Sequence, residues 1–179
     1  MEVLKLLLPL LLVALLPYTT AEPPDKLLCL PTNWDYAWSK VGNVWFARTH
    51  ERGEWYSMAE LCQNIEPGRS SIASVRSPEE QAHIVKGLPD EAWWLGGIRL
   101  GGHKWYWTSM KKYKIMFTPL TYKNWHAGEP STPKFDHCLH MHTAGLGRKW
   151  NDISCIHRFR AICEIRCPDR NMRPPMKKK

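Results

Sequence analysis

The chain has 179 residues with a formal net charge of +8, six cysteines and ten tryptophans, and 44% of its residues are hydrophobic. This composition excludes a disordered chain and a coiled coil, and the lack of a short period or internal repeat excludes collagen and a solenoid. The length fits one domain or a small pair.

The first 21 residues read as a secretory signal peptide. Lys5 precedes an apolar run from Leu6 to Leu16, and small residues up to Ala21 suit cleavage. The run is shorter than the roughly 20 residues needed to cross a bilayer. A buried helix is the alternative, which the N-terminal position disfavours. We therefore expect a secreted protein without a membrane span, followed by a short leader at residues 22–28.

The cysteines form an even set, which an oxidising compartment would pair as disulfides. The set is Cys29, Cys62, Cys138, Cys155, Cys163 and Cys167. Spacing alone leaves their connectivity open. Zinc ligation is the alternative, but the sequence contains no CxxC pair.

A first helix is predicted from four residues that recur at helical spacing, namely Met58, Leu61, Cys62 and Ile65. Ser57 is the expected cap at its start, and Pro67 and Gly68 end it. A second helix begins at a capping box formed by Ser77 and Glu80, with Pro78 at the first helical position. Its inner face is predicted to consist of Ile84, Val85 and Leu88.

Three short strands follow, at residues 93–98, 104–107 and 161–165, each rich in aromatic or β-branched residues. The stretch 108–135 is predicted to be irregular. Because long loops in compact domains are usually functional or fixed in place, we expect disulfides, a metal ion or both to hold it.

Hard oxygen donors cluster toward the C-terminal end of the chain. They are Glu129, Ser131, Asp136, Asn151 and Asp152. Carboxylates, an amide and a hydroxyl, with no His or Cys among them, suit Ca²⁺, which takes 6–8 oxygen ligands. The sequence therefore predicts a calcium site.

Two other interpretations of this region are weaker. His137, His140 and His142 flank Cys138 and raise a zinc or catalytic hypothesis, but no fourth ligand is evident. Glu129 and Asp136 could mimic the carboxylate pair of a glycosidase. Since the sequence contains no GxSxG, HExxH or P-loop motif, we do not expect an enzyme.

In chain order, these landmarks resemble the C-type lectin domain family over residues 29–167. The matching segments are the Cys62 helix, Ser77-Pro78-Glu79-Glu80, Trp94-Leu95-Gly96-Gly97, Trp125-x-x-Gly128-Glu129-Pro130, Trp150-Asn151-Asp152 and the four cysteines 62, 138, 155 and 163. The resemblance implies an α+β fold with two helices, small antiparallel sheets and long loops, stabilised by disulfides. Residues 168–179 would then form a basic tail.

The resemblance also implies disulfide pairs and ligands. It implies Cys62–Cys163 and Cys138–Cys155, and Cys29–Cys167 is the pair that remains. Glu129, Ser131, Asp136, Asn151 and Asp152 would bind one Ca²⁺ and also contact the sugar, with a cis peptide bond before Pro130. An auxiliary calcium site is not expected, because residues 92–128 contain no Asp or Glu.

Ser131 departs from the family's sugar motifs. Members with Glu-Pro-Asn favour mannose-type sugars, and members with Gln-Pro-Asp favour galactose. A serine keeps a proton to donate, so mannose-type glycans are expected modestly ahead of galactose. Its shorter reach predicts weaker calcium and sugar binding.

The main rival function is a C-type-lectin-like domain that binds a protein, a mineral or an anionic polymer without calcium. The basic stretch 92–128 and the basic tail support it, since both attract anions. A solvated loop and tail are the simpler interpretation of both segments. A nucleic-acid partner is not expected for a secreted, disulfide-rich chain.

Overall fold

The computed structural model describes residues 29–111, 114–131 and 136–168, without the side chains of Lys111 and Asp136. The predicted signal peptide, the leader and all but the first residue of the predicted tail lie outside the described residues. Within those ranges, no helix has the length and apolar character needed to cross a membrane.

The described ranges contain two helices and nine strands. In chain order they are β1 (Ser39–Val41), β2 (Val44–Arg48), α1 (Trp55–Ile65), β3 (Ser70–Ile72), α2 (Pro78–Ile84), β4 (Trp93–Leu100), β5 (Lys104–Lys111), β6 (Lys114–Pro119), β7 (Asp136–Met141), β8 (Trp150–Ser154) and β9 (Arg160–Arg166). A 3-10 turn, Ala144–Leu146, lies between β7 and β8.

The strands form one sheet in the order β1-β2-β9-β4-β5-β6, to which β3 is added through β9 and β7 and β8 through β4. Every pair is antiparallel except β4 and β9, which run parallel where Trp93 faces Arg160 and Trp94 faces Ala161. The α+β class with two helices is confirmed. The sheet is mixed, however, because the C-terminal strand β9 runs parallel to its neighbour β4.

Helix α1 begins three residues earlier than its sequence predicts. Its N-cap is Glu54, which makes no side-chain cap bond, so the prediction that Ser57 caps the helix is wrong. Tertiary bonds set this start: the Trp55 backbone N–H donates to the carbonyl of Cys155 at 2.9 Å, and its indole N–H donates to that of Leu95 at 2.8 Å. The predicted apolar face is buried, apart from the half-buried Leu61.

Helix α2 begins as predicted. Ser77 Oγ accepts a hydrogen bond from the Glu80 N–H at 3.2 Å, and Pro78 is the first helical residue. The Glu80 carboxylate does not complete the capping box, because it accepts from the Arg76 N–H at 2.7 Å and pairs with Arg166 at 2.8 Å. The helix ends at Ile84, so Val85 is its C-cap.

The three predicted strands are present as β4, β5 and β9, and each is longer than predicted. The prediction of an irregular stretch is wrong for residues 108–111 and 114–119, which lie in β5 and β6. There, β5 and β6 form a hairpin in which Met110 faces Ile115 and Lys111 faces Lys114. Lysines near the turn conceal the strand pattern in the sequence.

Three disulfides hold the sheet, the helix and the chain ends together. Cys62–Cys163 joins α1 to β9, and Cys138–Cys155 joins β7 to the turn after β8. Cys29–Cys167 links the two ends of the described chain across 138 residues. The first two are the pairs that the family resemblance implies, and the third is the pair that remained.

Candidate functional site

The segment before Glu129 is attached to the edge of β8. The Trp150 N–H donates to the carbonyl of Asn124 at 2.8 Å, and the His126 N–H donates to that of Trp150 at 2.8 Å. A turn follows, in which the Glu129 N–H donates to the carbonyl of His126 at 3.0 Å. Gly128 in this turn has φ +85°, a conformation that favours glycine. These bonds bring Glu129 beside the strand that carries Asp152.

An aromatic cluster around Trp150 supports this arrangement. Trp150 is fully buried, and its ring meets Trp107, Tyr122 and Trp125 edge-on at centroid distances of 5.4, 5.4 and 6.0 Å. Its indole N–H donates to Gln81 Oε1 at 3.0 Å. Because every face of this tryptophan is occupied, the adjoining residues of β8 are held in a fixed position.

Glu129, Ser131 and Asp152 meet in one cluster. The Ser131 N–H lies 2.8 Å from Glu129 Oε2 and 2.8 Å from Asp152 Oδ1, and Ser131 Oγ lies 3.3 Å from the same Asp152 oxygen. The Glu129–Pro130 peptide bond is cis, as the resemblance implies. Asp152 is 2% exposed whereas Ser131 is exposed, so the cluster is buried at Asp152 and open to solvent at Ser131.

Two carboxylates in this cluster repel each other. Burial raises the pKa of Glu129, and the neighbouring Asp152 carboxylate raises it further, against the opposing effect of hydrogen bonds from Ser131. Like charges at close range disfavour full ionisation unless a cation lies between them. The cluster therefore has the electrostatic character of a cation site.

Asn151, the next predicted ligand, has a side-chain oxygen that accepts no hydrogen bond within the described residues. Its Nδ2 lies 3.1 Å from His140 Nε2, and its Oδ1 is buried with no hydrogen-bond partner within the described part of the chain. A buried acceptor left unpaired costs about 1–3 kcal/mol. Coordination to a metal ion would remove that cost.

The histidines near the site pack against one another. His140 packs against His142 at 4.7 Å between ring centroids, and His142 against His126 at 5.6 Å. Burial lowers the pKa of His140 to about 3, with a smaller contribution from His142, so its imidazole is neutral. Among the side chains that the structure describes, no group of three or more His, Cys, Asp or Glu could hold a metal.

Asp136 is the first residue of β7, opposite Ser154 of β8. Its side chain lies outside the described set, so its role as a ligand stays a prediction. Cys138, two residues further along β7, is bonded to Cys155 beyond the end of β8. The ends of the two strands that carry Asp136 and Asp152 are thereby linked.

Three residues that support the site are missing from the sequence prediction: Gln81, His140 as the partner of Asn151, and Arg148. Arg148 has φ +55°, and its guanidinium donates to the carbonyls of Leu88, Pro89 and Glu91 at 2.9–3.0 Å. Gln81 could have been noticed as a polar residue one turn before Ile84 on the inner face of α2. The contact of His140 with Asn151 depends on the pairing of β7 with β8, and the Arg148 contacts join two segments outside the strands. The sequence shows neither.

The donor set fits calcium. Glu129, Asp152, the unpaired oxygen of Asn151 and the hydroxyl of Ser131 all offer hard oxygen donors, the type that Ca²⁺ prefers.

The family model described as Lectin C-type domain matches residues 51–165. Rat C-type lectin domain family 4 member A is 27% identical over 142 residues, which cover 77% of this chain and 55% of that protein. The chain thus spans about half the length of this relative, and 54% of its human counterpart.

Two solved structures share the fold. The cow C-type carbohydrate-recognition domain of CD23, crystallised in the presence of a GlcNAc2Man3 oligosaccharide, is 25% identical with a TM-score of 0.60, and 74% of this chain and 95% of that chain are covered. A calcium-independent type II antifreeze protein is 25% identical with a TM-score of 0.59, covering 78% and 95%. The match to the family model covers more than half of the sequence, and the chain therefore belongs to the C-type lectin domain family.

Proposed function

We propose that this protein is a secreted, non-catalytic lectin that binds glycans through one calcium ion. The observation that carries the proposal is the convergence of Glu129, Ser131 and Asp152. Asn151, the neighbour of Asp152 in β8, adds a buried Oδ1 that has no partner within the described residues. Asp136 is proposed as the fifth ligand. The cow carbohydrate-recognition domain, solved in the presence of an oligosaccharide, shares the fold and supports glycan binding as the proposed function.

Each residue has a distinct part in this proposal. Asp152 and Glu129 supply negative charge, Ser131 holds the two carboxylates together through its backbone N–H, and Asn151 supplies a neutral oxygen. When bound, the calcium would offer vacant coordination positions to two neighbouring sugar hydroxyls. Carboxylates only accept hydrogen bonds from those hydroxyls, whereas the Asn151 amide and the Ser131 hydroxyl can donate.

Mannose-type sugars are proposed ahead of galactose. Glu129 precedes Pro130 and accepts only, while Ser131 follows it and retains a donor. The order of acceptor and donor is therefore that of a Glu-Pro-Asn motif, with the shorter Ser131 in place of the asparagine.

The direct test is retention on a mannose resin in calcium, followed by elution with EDTA. Asn151→Ala and Asp152→Ala should abolish retention, because each removes an oxygen ligand. Asp152→Asn keeps the side-chain volume at this buried position and should weaken retention without altering the fold. Asp35→Ala, at an exposed carboxylate remote from β8 in sequence, is the matched control. Undiminished retention by Asp152→Ala would refute the site.

A second candidate function is calcium-independent binding of a protein, a mineral or an anionic polymer. It is favoured by the basic stretch 92–128, which contains no Asp or Glu, and by a family relative whose printed description is calcium-independent. Retention on heparin that salt reverses and EDTA does not would support this candidate.

A further inference from the structure

The outermost strand of the sheet carries an exposed apolar surface. Ile115, Met116 and Phe117 are 56%, 42% and 49% exposed. We call these three residues the β6 patch. Strand β6 pairs with β5 on one side and with no other strand in the described ranges. Apolar side chains on an open strand edge favour association, and soluble proteins normally interrupt or cover such edges.

The patch is open on both faces of the hairpin. Because side chains alternate along a strand, Ile115 and Phe117 lie on one face and Met116 on the other. Strand β4 pairs with β5 only from Lys104 to Trp107, so the described part of the hairpin beyond Trp107 has no backbone ladder with β4. A flat protein surface would cover only one of these faces, whereas an apolar medium that the patch enters would cover both.

The charged side chains in the sequence of β5 and β6 are all of one sign. Residues 104–119 contain four lysines and no carboxylate. The exposed Lys114 directly precedes the patch, and its cross-strand neighbour is Lys111. Pairing with a second copy of this hairpin would bring like charges together. A six-residue strand is also much smaller than the roughly 20–30 residues per side of a stable protein interface.

We propose that the β5–β6 hairpin docks on an anionic phospholipid surface. Ile115, Met116 and Phe117 enter the boundary between headgroups and acyl chains, and Lys114 remains at the phosphates. Interfacial segments bind in this way when buried apolar area and basic charge act together. A lysine close to such a surface strengthens binding about fivefold.

This surface is separate from the proposed sugar site. Pure phospholipid vesicles carry no glycan, and EDTA removes calcium from the cluster around Glu129 and Asp152. Binding to such vesicles in EDTA is therefore independent of the proposed sugar site, and its failure would leave the proposed lectin function untouched.

The experiment is co-sedimentation of the full secreted chain with vesicles in EDTA at about 0.1 M salt. We expect binding to vesicles with roughly one-third phosphatidylserine and little binding to pure phosphatidylcholine, because charge contributes within the Debye length. The double substitution Ile115→Ser/Phe117→Ser should reduce binding by at least about tenfold. Lys114→Gln should reduce it by about fivefold.

The matched control is Leu146→Ser, at an apolar residue that is 46% exposed outside the hairpin. It should bind like the wild type, and thermal unfolding of all variants checks that they fold. Equal binding to both vesicle types, equal loss in the control, or no vesicle binding would each overturn the proposal. A dimer that depends on Phe117 and binds no vesicles would identify a second copy as the occupant and overturn it as well.

Discussion

Ser131 determines how closely the two carboxylates of the proposed calcium site approach each other. Its backbone N–H contacts Glu129 and Asp152 at 2.8 Å, while its hydroxyl is 3.3 Å from Asp152. The backbone contacts do not depend on the side chain. The side chain at this position therefore controls reach toward the ion and the sugar, and changes here test the site without dismantling it.

Ser131→Asn should strengthen calcium-dependent glycan retention, since the longer side chain carries both an oxygen ligand and an amide donor. A gain of about tenfold in affinity would correspond to about 1.4 kcal/mol. Ser131→Ala is the matched control, because it keeps the backbone N–H and loses the hydroxyl. The comparison is made on mannose resin and by calcium titration. Equal affinity of the two variants would contradict a ligand role for this side chain.

His140 makes the fold sensitive to acid. Its pKa is lowered from 6.5 to about 3, first by burial and then by His142. Below pH 6.5 the unfolded chain therefore binds a proton that the folded chain does not, so stability is fully present above that pH and falls as the pH decreases toward 3. The loss should approach about 1.4 kcal/mol per pH unit.

Urea unfolding in EDTA at pH 7 and pH 5 measures this effect. Between pH 7 and pH 5, the free energy of unfolding should fall by about 2 kcal/mol less in His140→Gln than in the wild type. His103→Gln, at an exposed histidine, should behave like the wild type. If all three proteins lose stability in parallel, His140 is not the source.

At the scale of elements, the turn after Trp125 delivers Glu129 to β8. It depends on Gly128 at φ +85°, with nothing within 4 Å of a Cβ at that position. Any cost of a side chain there comes from the backbone conformation and amounts to about 1–2 kcal/mol. Relaxation of that strain would move Glu129 away from Asp152.

Gly128→Ala should therefore lower both stability and calcium affinity. Gly87→Ala provides the control, because Gly87 has φ +65° and is equally free of neighbours but lies after α2. We expect similar shifts in thermal unfolding for the two variants, with weaker calcium binding in calorimetry only for Gly128→Ala. Equal calcium affinity of both variants would show that this turn does not position Glu129.

The sequence was most informative where chemistry is local. The Ser77 cap, the apolar face of α1 and the set of oxygen donors follow from spacing and residue type alone. The start of α1 did not follow, because the tertiary bonds of Trp55 to Cys155 and Leu95 determine it. The same applies to the β5–β6 hairpin and to the contact of Asn151 with His140, which arise from strand pairing.

At the scale of the whole molecule, two disulfides constrain different properties of the protein. Cys29–Cys167 closes a loop of 138 residues and joins the ends of the described chain. Cys138–Cys155 closes a loop of 17 residues and links the ends of β7 and β8 beside the proposed site. The longer loop constrains the unfolded chain more, whereas the shorter one constrains the position of the ligands.

Removing Cys29–Cys167 by a double alanine substitution should lower the free energy of unfolding by about 2–5 kcal/mol. Calcium affinity should be retained at low temperature, where the variant is still folded. The double substitution at Cys138 and Cys155 should instead weaken calcium binding, even in the population that remains folded. Denaturant unfolding and calcium titration of both variants check this contrast, and the reverse pattern would contradict it.

The central claim is that Glu129, Ser131, Asp136, Asn151 and Asp152 hold one calcium ion. Titration calorimetry of the purified, oxidised protein at millimolar calcium tests it directly. The account predicts uptake of one ion by the wild type and none by Asp152→Ala, with Asp35→Ala unchanged. Absence of uptake by the wild type, or equal uptake by Asp152→Ala, would contradict it.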